Sequence, residues 1–207
     1  MVKETMIIHS FNDYLSDALV DELSKVIKVD KFIYPRPGVQ FPIYSSYNES
    51  PTRHFPPALE SHYDQRLDEV LDELDLLDRT VNDVMKWCQI YNKSTSGFHP
   101  THTHFSGDQL LSMVHFIRAP KDQKCFYFIS KGEKYYPDTQ NSGDFIVFPS
   151  WASHGVDPVE CDDNDRIIVS INIHCKEYKD NMNLDDTLVC SKRHRKNMLT
   201  KVWSEKL

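Results

Sequence analysis

The sequence predicts a mainly β protein with flanking helices, in which the strands form an antiparallel sandwich or an open barrel. Two observations indicate this fold class. Short runs of β-branched and aromatic residues recur at regular spacing in residues 86–176, and turn signals separate them. Before them, apolar residues recur at helical spacing in two segments. A chain of 207 residues is long enough for a single domain with a substantial core.

Residues 1–85 are expected to form a helical and loop flank that supports the strands. Residues 6–11 have the pattern of a short strand, and residues 12–27 that of a helix. Residues 33–56 carry prolines and tyrosines without a clear period, which predicts loops and one edge strand. From residue 57 to about residue 85, apolar positions among many acids indicate one amphipathic helix or two short ones.

The predicted strands then follow one another through the core region. They are 86–91, 109–117, 125–129, 144–148 and 166–173. Residues 177–207 lose strand character, include the basic run Lys192–Lys196 and end in a plausible short helix. The sequence therefore predicts one domain with a flank (1–85), a core (86–176) and a C-terminal tail (177–207).

Composition excludes several classes of function. The formal net charge of −7 argues against a nucleic-acid-coating protein, and a basic run near a chain end is more often a solvated tail. No run approaches the roughly 20 apolar residues that span a bilayer. Five cysteines without CxxC spacing are typical of reduced thiols. We therefore expect a soluble, cytoplasmic protein without a membrane or nucleic-acid partner.

Three histidines have the spacing of metal ligands. His102 and His104 form a His-x-His pair, whose imidazoles share one face if the chain is extended there. His154 follows about fifty residues later, after a strand and a turn. An oxidative iron enzyme needs three ligands on one triangular face, so that other positions stay open. Arg166 opens the next apolar strand, where its guanidinium could hold a dicarboxylate beside the metal.

The order of motifs around these histidines is specific. A strand ending in tyrosine leads through a glycine to the His-x-His pair, and a Gly-Asp dipeptide, an apolar strand, Phe-Pro-Ser, a histidine and Pro-Val follow. These residues are Tyr91, Gly97, His102, His104, Gly143, Asp144, Phe148, Pro149, Ser150, His154, Pro158 and Val159. Residues 87–172 thereby resemble the double-stranded β-helix (jelly-roll or cupin-like) core of the iron(II)/2-oxoglutarate-dependent dioxygenases. The resemblance is greatest to the prolyl 4-hydroxylase-type branch and to related proteins carried by bacteriophages.

The resemblance implies a hydroxylase that uses Fe(II), 2-oxoglutarate and O2 and releases succinate and CO2. It places the metal on His102, His104 and His154, and the far carboxylate of 2-oxoglutarate on Arg166. Tyr91 is expected to add a hydroxyl hydrogen bond to the same carboxylate, and Ser112 to line the pocket. The primary substrate is not specified, and a protein side chain is the first class to test. A phage-encoded member would act in the host cytoplasm.

One ligand departs from the family pattern and leaves alternatives open. The middle ligand of the family is usually Asp or Glu, whereas this chain has His104, with Asp108 and His99 as other candidates. Three histidines also suit a cupin-type metal enzyme that does not use 2-oxoglutarate. They describe a non-catalytic metal-binding interaction module equally well.

Overall fold

The computed structural model describes residues 6–29, 34–36, 39–41, 44–45, 57–74, 81–91, 97–104, 109–160 and 166–175. These residues form two helices, α1 (Asp17–Val29) and α2 (Pro57–Glu73). They also form twelve strands: β1 (His9–Asn12), β2 (Tyr34–Arg36), β3 (Val39–Phe41), β4 (Tyr44–Ser45), β5 (Val81–Tyr91), β6 (His99–His102), β7 (Gln109–Arg118), β8 (Phe126–Ser130), β9 (Glu133–Tyr135), β10 (Asp144–Pro149), β11 (His154–Val156) and β12 (Arg166–Cys175).

Two antiparallel sheets carry the core. The larger has the strand order β1-β10-β7-β12-β5-β4, and the smaller has the order β6-β11-β8-β9. Strands β2 and β3 pair separately. Both helices pack on one face of the larger sheet, and the smaller sheet covers its other face. The predicted fold class, mainly β with flanking helices, is confirmed.

Strand β12 shows how the sequence builds these layers. Its residues at odd positions are buried against the helices: Ile167, Val169, Ile171 and Ile173. Because side chains alternate along a strand, the even positions point toward the smaller sheet. There Ile168 joins the apolar cluster between the sheets, and Ser170 and Asn172 line a pocket. Buried polar residues are uncommon on a strand that is covered on both faces, so Ser170 and Asn172 are candidates for a function.

The helix predicted over residues 57–85 is wrong in its second part. Helix α2 ends at Glu73, and strand β5 begins at Val81. Strand β5 is antiparallel to β12 along its whole length, so its conformation is fixed by a partner far along the chain. The helical spacing of the apolar residues favours a helix there, but pairing with a distant strand determines the conformation instead. Residues 33–56 contribute three short strands, where one was predicted.

Several predictions fall on parts of the chain that the structure does not describe. The C-terminal tail and Asp108 lie outside the described residues. The division into flank, core and tail stays a prediction. Within the described ranges, neither helix combines the length and the apolar character needed to cross a membrane.

A buried polar network joins α2 to the larger sheet. His115 on β7 is fully buried, and its Nε2–H donates to the backbone oxygen of Asp13 at 2.7 Å. The hydroxyl of Tyr63 on α2 donates to Nδ1 of the same ring at 2.8 Å. A charged ring would donate through both nitrogens, with Tyr63 as an acceptor, but burial disfavours the charged form. Burial lowers the pKa of His115 to about 4.

We expect acid to weaken the fold through His115. An unfolded histidine has a pKa near 6.5, so unfolding takes up a proton between about pH 6.5 and pH 4. The free energy of unfolding therefore falls with decreasing pH in this window, by about 1.4 kcal/mol per pH unit for each such histidine. Urea unfolding of the metal-free protein from pH 7 to pH 4.5 measures this slope. The free energy of unfolding of the His115→Gln variant should fall less steeply with decreasing pH than that of the wild type. Equal slopes in the two proteins would contradict the conclusion that His115 is buried in its neutral form.

Candidate metal centre

Two adjacent strands of the smaller sheet and the segment after one of them bring three imidazoles together. His102 at the end of β6 pairs directly with His154 at the start of β11. His104 follows β6, and its backbone N–H donates to the oxygen of Ser150 at 2.9 Å. Nε2 of His104 lies 3.2 Å from Nε2 of His102 and 3.2 Å from Nε2 of His154. The three ligand atoms all lie within 4.8 Å of one another.

Backbone carbonyls fix two of the three rings. Nδ1 of His102 lies 2.8 Å from the oxygen of Pro100, and Nδ1 of His154 lies 2.8 Å from the oxygen of Ala152. A carbonyl oxygen only accepts, so each Nδ1 carries the hydrogen. Each Nε2 therefore directs a lone pair toward the centre of the triad, as in metal-ligating histidines.

The protonation and spacing of the triad fit a divalent metal ion. Burial lowers the pKa of all three rings, to about 3 for His104 and well below the usual value for His154, and the neighbouring imidazoles add to the effect for these two. The rings are therefore neutral at pH 7, which is the form that binds metals. Two metal–nitrogen bonds of about 2.1 Å at a right angle separate their nitrogens by about 3.0 Å, close to the spacing found here.

The triad opens into a pocket of about 470 Å³ between the two sheets. This volume suits a small ligand beside a metal ion. Tyr91 and Ser112, which the sequence places near the co-substrate, both line the pocket. Apolar side chains complete its walls, among them Met113, Val114, Phe126, Phe148, Val156 and Ile168.

Arg166 is buried, with 1% of its surface exposed, and it is not among the residues that line this pocket. It pairs with Tyr91 across β12 and β5, and its guanidinium carbon lies 4.9 Å from the centre of the Tyr91 ring. It also lies 5.4 Å from the centre of the Phe116 ring. Its neighbour Tyr91 does line the pocket. Burial raises the pKa of Tyr91 to about 12, although the charge of Arg166 acts in the opposite direction.

Other histidines and polar residues complete the site. His99 lines the pocket with its ring centre 4.1 Å from that of His102, but it lies outside the group of convergent ligand atoms. Trp87, Gln89 and Asn172 also line the pocket and are absent from the predicted set. The period of two along a strand could have identified all three, since Trp87 lies four positions before Tyr91 on β5. Gln89 lies two positions before Tyr91, and Asn172 lies six after Arg166.

No protein-family model and no curated protein matches the chain. Solved structures do match it. One is a prolyl hydroxylase from Trichoplax adhaerens, in complex with a hypoxia inducible factor oxygen degradation domain peptide fragment. It aligns with a TM-score of 0.62 and 9% sequence identity. The alignment covers 86% of this chain and 91% of the hydroxylase chain. The chain has the fold of the prolyl hydroxylases.

Two bacterial structures agree with this fold. A Pseudomonas putida prolyl-4-hydroxylase aligns with a TM-score of 0.56 at 15% identity, over 80% of this chain and 91% of its own. A 2OG-Fe(II) oxygenase family protein from Burkholderia pseudomallei aligns with a TM-score of 0.52 at 16% identity, over 83% of this chain and 86% of its own. The predicted double-stranded β-helix core is confirmed. The bacteriophage origin and the cytoplasmic location stay predictions.

Proposed function

We propose that the protein is a non-haem iron(II)/2-oxoglutarate-dependent dioxygenase that hydroxylates its substrate with release of succinate and CO2. The convergence of three neutral imidazoles on one point of the pocket carries this proposal. The fold shared with prolyl hydroxylases supports it.

His102, His104 and His154 would each hold the metal through Nε2. Three imidazoles bring no negative charge, so a divalent ion keeps its full charge of +2 until an anion binds. The dianion of 2-oxoglutarate would balance that charge, so the three histidines would suit a site that binds this co-substrate. When bound, the iron would allow O2 to act as the oxidant, with two electrons coming from the substrate C–H bond and two from 2-oxoglutarate as it becomes succinate and CO2.

Arg166 and Tyr91 would hold the far carboxylate of 2-oxoglutarate. A guanidinium binds a carboxylate through two parallel hydrogen bonds, which fixes its orientation as well as its position. The hydroxyl of Tyr91 stays protonated at neutral pH and donates to Oε1 of Gln89 at 3.2 Å. Arg166 does not line the pocket in this structure, so its guanidinium would have to turn toward it to make this contact.

The aromatic walls orient the metal ligands and exclude water. The ring of Phe148 lies 4.9 Å from that of His154, and the ring of Phe126 lies 5.7 Å from it. Exclusion of water protects a reactive site from side reactions. A protein side chain is the substrate class we propose to test first, because the prolyl hydroxylase from Trichoplax adhaerens was solved with a peptide.

Conversion of 2-oxoglutarate tests this function without knowledge of the substrate. The purified protein is incubated with Fe(II), 2-oxoglutarate and O2, and succinate is measured with and without candidate peptides. We expect slow succinate formation that needs both iron and O2 and that accelerates with a true substrate. Succinate no higher than in a metal-free control, with every peptide offered, would refute the proposal.

The all-histidine donor set favours a second candidate, a three-histidine metal enzyme that does not use 2-oxoglutarate. Oxygen consumption that requires iron and a small thiol, and that is indifferent to 2-oxoglutarate, would identify this enzyme in the same assay.

A further inference from the structure

A chain of buried polar side chains leads from β7 to His104. Nε2 of Gln109 donates to Oγ of Ser112 at 3.2 Å, and that hydroxyl donates to Oδ1 of Asn172 at 3.2 Å. Nδ2 of Asn172 then lies 3.2 Å from Nδ1 of His104. Gln109, Ser112 and Asn172 are each less than 5% exposed, so these contacts are largely shielded from bulk water.

This contact distinguishes His104 from the other two histidines of the triad. Nδ1 of His102 and of His154 faces a backbone carbonyl, which only accepts, so their tautomers are the same with or without a metal. Nδ1 of His104 faces a side-chain amide, which donates at one end and accepts at the other. Of the three ligands, His104 alone has a tautomer that depends on the orientation of a neighbouring side chain.

Each of the two orientations of the Asn172 amide matches one state of the triad, metal-free or metal-bound. With the NH2 group toward His104, Nδ1 accepts and Nε2 carries the hydrogen, which it can donate to Nε2 of His102 or His154 at 3.2 Å. That arrangement gives one of the two neighbouring lone pairs a donor. A metal on Nε2 of His104 requires the hydrogen on Nδ1, which must then donate to an oxygen. Rotation of the amide by half a turn supplies that oxygen, and Oγ of Ser112 has the lone pairs to accept from Nδ2.

We propose that Asn172 is a positioning residue for the metal centre. Its side-chain oxygen accepts from Nδ1–H of His104 and so selects the tautomer whose Nε2 binds the metal, and its amide turns over when the metal binds. This inference rests on the proposed metal site and adds a function for a residue outside the ligand set.

Two substitutions separate hydrogen bonding from packing. Asn172→Asp keeps the size of the side chain and presents only acceptors, so it should hold His104 in the metal-binding tautomer and bind metal at least as tightly as the wild type. Asn172→Leu has a similar volume but no hydrogen bond. We expect it to bind metal about 10-fold to 100-fold more weakly, the usual cost of losing an outer-shell partner of a ligating histidine.

The affinity is measured by titration of the full chain with Co(II) in competition with a chromophoric chelator. Equal affinities of the wild type and Asn172→Leu would overturn the inference, as would weakening by Asn172→Asp equal to that by Asn172→Leu. A wild-type protein that binds no Co(II) would instead refute the metal site itself, and with it the inference.

A second measurement reports the tautomer directly and does not depend on the leucine variant being folded. Long-range ¹H–¹⁵N spectra assign the protonated nitrogen of His104 in the metal-free and the Zn(II)-loaded protein. We expect the hydrogen on Nε2 in the metal-free wild type and on Nδ1 after Zn(II) is added. The metal-free Asn172→Asp protein should already carry it on Nδ1. The same tautomer in metal-free wild type and Asn172→Asp would contradict the proposal.

Discussion

Replacement of His154 with alanine is expected to abolish stoichiometric metal binding. The ring is buried, its Nδ1 is fixed by Ala152, and its Nε2 completes the triad. Two imidazoles would remain, and the loss of affinity should exceed the 10-fold to 100-fold that removal of an outer-shell partner typically costs. Iron content after anaerobic reconstitution and a Co(II) titration measure the effect.

Two further variants control for damage to the fold. His154→Phe keeps an aromatic ring beside Phe126 and Phe148 and removes only the ligand, so it should also lose the metal. His9→Ala removes a partly buried imidazole that contacts Glu73 at 3.0 Å and lies outside the pocket lining, and it should retain the metal. Stoichiometric metal in the His154→Phe protein would contradict the assignment.

Replacement of Arg166 with methionine is expected to remove most of the affinity for 2-oxoglutarate and to leave metal binding intact. Truncation of one partner of a buried charge pair costs about 2–5 kcal/mol, so the dissociation constant should rise at least about 30-fold. Methionine fills the apolar space beside Tyr91 and Phe116 and carries no charge. An anaerobic titration of the metal-loaded protein with 2-oxoglutarate gives the constant.

Arg166→Lys is the matched control for this prediction. Lysine keeps the positive charge but lacks the planar fork that binds a carboxylate bidentately, so its affinity should lie between those of the wild type and Arg166→Met. If Arg166→Met binds 2-oxoglutarate as tightly as the wild type, the carboxylate is held elsewhere.

The strands and the spacing of the histidines could be predicted because both depend on local pattern. Alternation along β12 separates the residues that face the helices from those that face the pocket. The apolar runs of β7 and β10 likewise identify these segments as buried strands. The His-x-His pair and the histidine after the Phe-Pro-Ser turn have a motif order that few other folds share. These features were sufficient to predict the fold class and to select the residues that the structure brings together.

Other features depend on contacts between distant segments. The pairing of β5 with β12 turned a predicted helix into a strand, because the ladder extends over residues that also fit a helical period. The role proposed for Asn172 requires that β6, β7 and β12 meet at one point, with Ser112 and His104 on either side of its amide. No local pattern specifies that meeting, although the alternation of β12 places Asn172 on the pocket face.

The central claim is that the three imidazoles and Arg166 form a single site for iron(II) and 2-oxoglutarate. Anaerobic addition of 2-oxoglutarate to the iron-loaded protein tests it most directly, because chelation of the iron by the keto acid gives a weak visible absorption band. We predict a band that saturates at equimolar 2-oxoglutarate, requires far higher concentrations in Arg166→Met and is absent in His154→Phe. An iron-loaded wild-type protein that develops no band, or a band that persists unchanged in both variants, would contradict the account.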